Sequence, residues 1–401
     1  MQTSLRTQSN TSLSKVMPVL FGFFIMGFVD IIGTAINYVK VDLTLNDTTA
    51  NLLSLSCFFW FLVLSIPTGL LMNRIGRKNT VLASFAFTLV GLLVPWIAYS
   101  LTADQLYRFY AVLVAFALIG IGNTIIQVAL NPLVSNVVAK NKLTGSLTLG
   151  QFIKALSSWL GPNVAAWLAA TSLGWEYLFP VFAFVSLLAA VWLWATPIRE
   201  DDGGSREISF GATFALLRNP KILLFFIGIL VLVGVDVGLN ATLPKYLMEK
   251  FPTEITGIPQ ADQLKSYYYF IVRALGAFLG GILLMKVSER KFYTVSVFLA
   301  FAGLVWLLFG QTLWSILAGV VIVALGYSNL FAIIFSLALK QVPEKANEIS
   351  SLLIVGVSGG AIALLLGVVS DLFGTQWAAM TIVAAIWLYM IALIRTVNKG
   401  E

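Results

Sequence analysis

Four ionisable side chains sit where charge is least welcome: Asp30, Lys154, Asp236 and Arg273 each fall inside a long apolar stretch. They balance, two acids against two bases. A charge at the centre of a bilayer costs about 2.5–3.5 kcal/mol on insertion scales, so such residues face a bundle interior, pair with one another and mark the path of a substrate or ion. A structural ion pair, or a side chain snorkelling from a helix end, is the plainer reading of each. Asp30 and Asp236 are the candidate coupling groups, and Lys154 and Arg273 the intramembrane cations that balance them. The chain has no histidine, so proton chemistry near neutral pH falls to carboxylates.

Uncharged polar residues line up beside these charges. Asn123, Gln127 and Asn131 follow i, i+4, i+8, while Gln151, Lys154 and Ser158 follow i, i+3, i+7, each set on one helical face. Asn37 accompanies Asp30, and Asn240 accompanies Asp236; Asn329 is a further amide of the same kind. Sugar hydroxyls need donors and acceptors together, and amides supply both. Trp159 and Tyr268 offer flat faces for a pyranose ring, although aromatics on such helices more often pack or anchor at the interface. No phosphate-binding loop, serine nucleophile constellation or metal-ligand spacing is present. Cys57, the single cysteine, reads as a packing residue. The expectation is a protein without enzymatic activity, resident metal or organic cofactor, acting on a small-molecule sugar with a proton, or in the alternative sodium, as coupling ion.

The elements that must hold these residues follow from composition. Of 401 residues, 59% are hydrophobic and 11% charged, against about 45–50% and about 25% in soluble domains. Apolar stretches of about 20 residues, enough to cross a bilayer, recur at 16–38, 50–72, 80–99, 108–135, 147–170, 176–196, 221–247, 265–285, 293–311, 313–338, 349–370 and 376–394. The fold class expected is an all-α integral membrane protein of twelve transmembrane helices in two pseudo-symmetric six-helix bundles. With both termini cytoplasmic, 18 Lys and Arg lie inside and five outside (Lys40, Arg108, Lys245, Lys250 and Lys265), as the positive-inside rule requires. The net charge of +7 is thus topological and implies no nucleic-acid partner. The partners expected are the lipid bilayer and a sugar, for a monomer in the cell's inner (plasma) membrane.

A polar connection divides the chain in the middle. The expected organisation is a cytoplasmic tail (1–15), an N-terminal bundle (16–196), a cytoplasmic linker (197–220), a C-terminal bundle (221–394) and a short tail (395–401). Within the linker, 210–218 is compatible with a short surface helix or a solvated strand of chain. The halves echo each other: Gly27, Asp30, Asn37 and Tyr38 in span one match Gly234, Asp236, Asn240 and Tyr246 in span seven, and the 73–78 loop is echoed at 286–291. Six-helix repeats of this kind suit a transporter that rocks two bundles about a central site.

Gly69, Asn73, Arg74, Gly76, Arg77 and Lys78 stand in a spacing that resembles the conformational loop of major facilitator transporters between their second and third helices, with Asn73 in place of the family's acid. Within that superfamily the chain most resembles the fucose and glucose/galactose permease branch. The stretches that carry this are Asn131-Pro132, 147–151 ending on Gln151, 335–338, Gly359-Gly360 with Gly367 and Asp371, and 233–237 around Asp236. The resemblance implies the twelve-helix major facilitator fold and sugar–proton symport. The departures fall on mechanistic positions. The family's Asn-Asp pair of helix one corresponds to Gly33 and Thr34, with Asp30 a turn earlier; a glutamate of helix four corresponds to Gln127, which cannot exchange a proton; and a neutral residue of helix five corresponds to Lys154, a candidate partner for Asp30.

The function expected is secondary active import of a monosaccharide, a hexose or 6-deoxyhexose, by alternating access with proton coupling. Sodium-coupled or uncoupled sugar transport is the nearest alternative. A substrate-sensing membrane protein or an exporter of amphipathic compounds is the alternative of another class.

Overall fold

The computed structural model describes residues 13–138, 143–200, 210–284, 287–342 and 345–398. The ends of the two tails, 1–12 and 399–401, and the middle of the linker, 201–209, lie outside the described residues. Twelve long helices follow one another: α1 (Leu13–Asp42), α2 (Asp47–Ile75), α3 (Arg77–Leu101), α4 (Gln105–Val137), α5 (Leu143–Ala169), α6 (Trp175–Ala195), α7 (Pro220–Lys250), α8 (Ile258–Leu283), α9 (Glu289–Phe309), α10 (Leu313–Ala338), α11 (Ser351–Phe373) and α12 (Gln376–Asn398). Helices are the expected outcome, because a helix satisfies its backbone polar groups internally where no water can. Eleven are both long and apolar enough to cross a bilayer. The other, α5, has 27 residues but interrupts its apolar surface with Gln151, Lys154, Ser157, Ser158 and Asn163.

Polar caps set where many helices begin. Asn46, Asp104, Asn219, Ser288 and Thr312 each accept a hydrogen bond from a backbone N–H in the first turn of α2, α4, α7, α9 and α10, an arrangement worth about 1 kcal/mol per cap. Several helices outrun the expected spans. Helix α1 extends to Asp42, and α12 continues to Asn398, so most of the expected 395–401 tail is helical. Lys15, Lys40 and Arg395 at these ends keep their charges near water while their stems cover apolar surface. In the linker, Phe210–Ala215 is helical and continues as a 3-10 turn at Leu216–Arg218.

Four helices are irregular at mid-depth. A 3-10 turn at Gly27–Ile31 interrupts α1, a π segment at Ser266–Ile271 interrupts α8, a turn at 328–329 breaks α10, and a 3-10 turn at Gly356–Ala361 interrupts α11. Irregular backbone at membrane depth persists where protein groups satisfy it. Asn123 of α4 donates to the carbonyl of Met26 at the head of the α1 turn, and Asn329 at the α10 break donates to the carbonyl of Gly276.

Helices α1–α6 and α7–α12 form two bundles that meet mainly where α1 packs on α7, α2 on α11 and α5 on α8. At the α7–α11 contact inside the second bundle, a Cβ on Gly359 would overlap the carbonyl oxygen of Leu230, so only glycine permits that approach.

Candidate functional site

The centre of the seam holds three of the four ionisable residues singled out by sequence. Asp30 occupies the 3-10 turn of α1, half-buried, and accepts a hydrogen bond from Ser158 Oγ of α5 at 2.6 Å. Facing it, Asp236 of α7 and Arg273 of α8 form an ion pair in which Arg273 Nη1 donates to both carboxylate oxygens, at 2.9 and 2.7 Å. Asp236 Oδ1 also accepts from the Tyr269 hydroxyl at 2.6 Å and from Asn240 Nδ2 at 3.1 Å. The Arg273 guanidinium lies over the Tyr327 ring, 4.9 Å from its centroid, a cation–π contact. The charge of Asp30 reaches both Arg273 and Tyr327, which ties the two bundles electrostatically. Asp236 thus has an opposite charge and two further donors, whereas Asp30 has one hydroxyl.

Lys154 stands one turn before Ser158 on the same face of α5, half-buried, with no described carboxylate within 4.0 Å. The anticipated Asp30–Lys154 pair is absent from this structure; Asp30 is held instead by Ser158, whose hydroxyl also lies 3.1 Å from the Lys154 carbonyl oxygen. Gln151 is exposed one turn earlier.

The amides divide into two groups. Gln127 donates to Asn123 Oδ1 at 2.8 Å, and Asn123 donates to the Met26 carbonyl, so both are wired into the first bundle; Asn131 stands half-buried a turn beyond. Asn329 is likewise spent on Gly276. Asn37 and Asn240 instead lie toward the other end of the seam. Asn37 is fully buried with both amide atoms unpartnered, and Asn240 Oδ1 is unpartnered too.

The two aromatics are placed differently from each other. Trp159 lies at the α5–α8 seam, where its carbonyl accepts from the Ser266 hydroxyl at 2.8 Å. Tyr268 packs edge-on against Trp314 of α10 and leaves Tyr269 to enter the charge cluster. Consecutive helical residues point about 100° apart, and the π segment shifts the phase of α8, so one tyrosine of the pair faces the centre.

Sequence reading missed Tyr269 and Tyr327, and it counted Lys245 and Lys265, at the ends of their spans, with the charges of the outer side without assigning them partners. Both lie within α7 and α8 and are buried, because each finds a carboxylate. Lys245 pairs with Asp47 at 2.7 Å, and Lys265 with Asp262 at 2.7 Å. The i, i+3 spacing of Asp262 and Lys265 was the available signal.

Among the described residues, the polar bonds that join the bundles lie at mid-depth or toward the face opposite the 69–78 loop. Asp47 accepts from Lys245 Nζ, Ser370 Oγ (3.2 Å) and Gln376 Nε2 (2.7 Å) of the second bundle and from Lys40 Nζ (2.8 Å) of its own. Asp371 accepts from the backbone N–H groups of Asp47 and Thr48 and from the Thr48 hydroxyl. Asn163 and Ser266 bond across α5 and α8, and Ser54 donates to the Gly360 carbonyl. Toward the loop face the seam is apolar, with Ile66 and Leu70 of α2 against Val355 and Phe226, and Phe152 near Phe278.

The loop itself is built on backbone. Gly69 and Asn73 lie on α2, and the Asn73 side chain lies outside the described residues; Arg74 closes the last turn. Gly76 has φ +84°, a conformation that favours glycine. The Glu200 carboxylate accepts from the N–H groups of Arg77 and Lys78 at the start of α3, and Arg77 Nη1 donates to Asn136 Oδ1. A carboxylate at a helix N-terminus is favoured by the helix dipole, so the loop fastens α2, α3, α4 and the chain after α6 together.

Among known proteins, the model of the Major Facilitator Superfamily matches residues 19–261. A glucose/galactose transporter of Brucella abortus is 28% identical over 401 residues, covering 94% of this chain and 92% of the relative. Among solved structures, the E. coli fucose:proton symporter FucP superposes with a TM-score of 0.70 at 18% identity, covering 96% of this chain and 100% of that one. A variant of the nucleoside transporter NupG gives 0.74 at 13% identity, covering 97% and 100%. At these identities the two structures speak for the fold alone.

Proposed function

The chain belongs to the Major Facilitator Superfamily, and from that premise we propose that it imports a monosaccharide, a hexose or 6-deoxyhexose, by alternating access coupled to proton movement at Asp30. The name carried by the Brucella relative supports the substrate class. The exposed Gln151, the half-buried Asn131 and Lys154, and the Asp30 carboxylate offer the mixed donors and acceptors that a polyhydroxylated ring requires. The membrane is the cell's inner membrane, with the 69–78 loop on the cytoplasmic side, as the distribution of Lys and Arg favours.

The single observation that carries proton coupling is the state of Asp30. It is the charged residue of the central cluster that is half-exposed and held by one hydroxyl. Asp236 is occupied by Arg273, Tyr269 and Asn240. A carboxylate with few donors exchanges a proton with less rearrangement than one locked in an ion pair. Protonated, Asp30 donates a hydrogen bond to a sugar oxygen or to Ser158. Ionised, it presents a negative charge to Arg273 across the seam, which biases the relative position of the bundles. Lys154 on the neighbouring turn disfavours a sodium ion at the same place.

Reconstituted protein is expected to accumulate labelled galactose or glucose against its gradient when a pH gradient is imposed. Asp30→Asn is expected to abolish that accumulation and to keep exchange of internal for external sugar. Accumulation undiminished in Asp30→Asn sinks the coupling role; accumulation driven by sodium and not by pH reassigns the ion.

A further inference from the structure

Two cations reach the central site from opposite bundles with donors to spare. Arg273 spends Nη1 on both oxygens of Asp236, at 2.9 and 2.7 Å, and the Tyr327 ring covers one face of its guanidinium. Among the described residues its Nε and Nη2 edge has no hydrogen-bond partner, and the side chain keeps 18% of its surface open. Lys154 is half-buried, and among the described residues its ammonium has neither a carboxylate within 4.0 Å nor a hydrogen bond. Two contacts between α5 and α8 bracket these groups, Phe152 with Phe278 on the loop side and Asn163 with Ser266 on the outer side. Lys154 and Ser158 lie between them on α5, and Arg273 lies between them on α8. Asp30 joins from α1 through its bond to Ser158.

We propose that the monosaccharide carried by this protein bears a carboxylate, as a hexuronic acid does, and that Lys154 and the free edge of Arg273 are the residues that bind it. This rests on the sugar-import reading above and narrows the hexose to one whose C6 is an acid. The open groups are dominated by donors, since an ammonium and a guanidinium edge carry N–H groups and no acceptor. A ring hydroxyl brings a donor of its own to such a site; a carboxylate brings acceptors alone. The parallel N–H groups of a guanidinium edge also match the two oxygens of a carboxylate.

Charge balance gives the same answer. Asp236 and Arg273 neutralise each other, which leaves Asp30 and Lys154 to be balanced through the cycle. In the empty carrier an ionised Asp30 offsets Lys154. In the loaded carrier Asp30 holds the coupled proton, and Lys154 is then a charge without compensation, closed in with the substrate as the bundles rock. Such a charge is costly within a bilayer. A substrate with one negative charge removes that cost, and a neutral sugar does not. A phosphorylated sugar, at about −1.5 to −2, overshoots the balance. Lys154 thus acts as a specificity residue: it favours an acidic sugar in the protonated carrier and is offset by Asp30 in the empty one.

The test measures uptake of labelled galactose and labelled galacturonate by the full-length protein in liposomes, with galacturonamide and galactose 1-phosphate as unlabelled competitors. The KM for galacturonate is expected to lie about tenfold or more below that for galactose, with galacturonamide, the same ring without the charge, competing no better than galactose. Lys154→Gln is expected to lower the preference for galacturonate over galactose by about tenfold, and Lys154→Arg to keep most of it. The preference is a ratio read within one preparation, so a smaller folded fraction does not change it. Uptake of galactose with no preference for galacturonate overturns the proposal and leaves the sugar-import reading standing. A preference undiminished in Lys154→Gln overturns it as well, and so does stronger competition by galactose 1-phosphate than by galacturonate. Uptake of neither labelled sugar overturns the import reading itself.

Discussion

Asp30 and Asp236 are the same residue type at similar depth, and their neighbours bind them differently. Asp236 is tied to Arg273 by a hydrogen-bonded ion pair and receives Tyr269 and Asn240 as well. Removing one member of a buried pair leaves the other charge uncompensated and costs about 3–5 kcal/mol, whereas removing both is far milder. Asp236→Asn is therefore expected to lower the thermal unfolding midpoint in detergent sharply, and the further change Arg273→Met to restore most of it. A single variant as stable as wild type would mean that Arg273 is satisfied some other way. Asp30→Asn, which keeps a partner for Ser158, is expected to leave the midpoint near wild type. The contrast distinguishes a carboxylate fixed in an ion pair from one held by a single hydroxyl.

At the scale of elements, the candidate site gathers where helices depart from regularity. The 3-10 turn of α1 presents Asp30, the π segment of α8 sets which tyrosine faces Asp236, and the 3-10 turn of α11 brings Gly359 against α7. Gly359→Val places branched carbon atoms in the space of the Leu230 carbonyl, and no side-chain rotation relieves a clash with backbone. The expected result is loss of folded yield, or transport reduced by about tenfold in whatever protein folds; wild-type yield and uptake would show that α7 and α11 do not need this approach. The twelve helices and their two-bundle division were legible in sequence because apolar length is a strong signal in a bilayer. Helix α5 was legible as well, although its polar stripe dilutes that signal. Less legible was the phase of α8, since Tyr268 and Tyr269 are adjacent and one π turn decides between them. The pairings of Lys245 with Asp47 and of Lys265 with Asp262 were also missed, because charges near a predicted helix end read as facing the outer solution until their partners, 198 positions away for Asp47 and Lys245, are seen. The amide stripe of α4 was visible at once, but its use was not: Asn123 and Gln127 support the α1 turn, and spacing alone cannot tell a hydrogen bond to backbone from one to a sugar.

For the whole molecule, the two faces of the seam are held by different forces, and that difference decides which one opens. Toward the 69–78 loop the bundles touch through Ile66, Leu70, Phe226 and Val355 and through Phe152 and Phe278. Such contacts are non-directional and weaken gradually as surfaces slide. Toward the opposite face, Asp47 gathers Lys245, Ser370 and Gln376 across the seam, and Asp371 holds the first turn of α2 by two backbone N–H groups. Hydrogen bonds to charged groups are strong and directional, so this face parts only when they break together. Asp47→Asn keeps the side-chain shape but removes the charge that two ammonium groups share. A loss of about 1–2 kcal/mol from the closed state multiplies the population open on that face by about 5–30. Ser54, fully buried on α2 and bonded to the Gly360 carbonyl, reports the opening. With the native thiol removed by Cys57→Ala, a Ser54→Cys probe is expected to react severalfold faster with a membrane-impermeant maleimide when Asp47→Asn is present. Lys245→Met should act in the same direction and add little to Asp47→Asn, since both remove the same bond. Equal labelling with and without Asp47→Asn would show that the apolar seam, and not the charged one, sets the balance between the two faces.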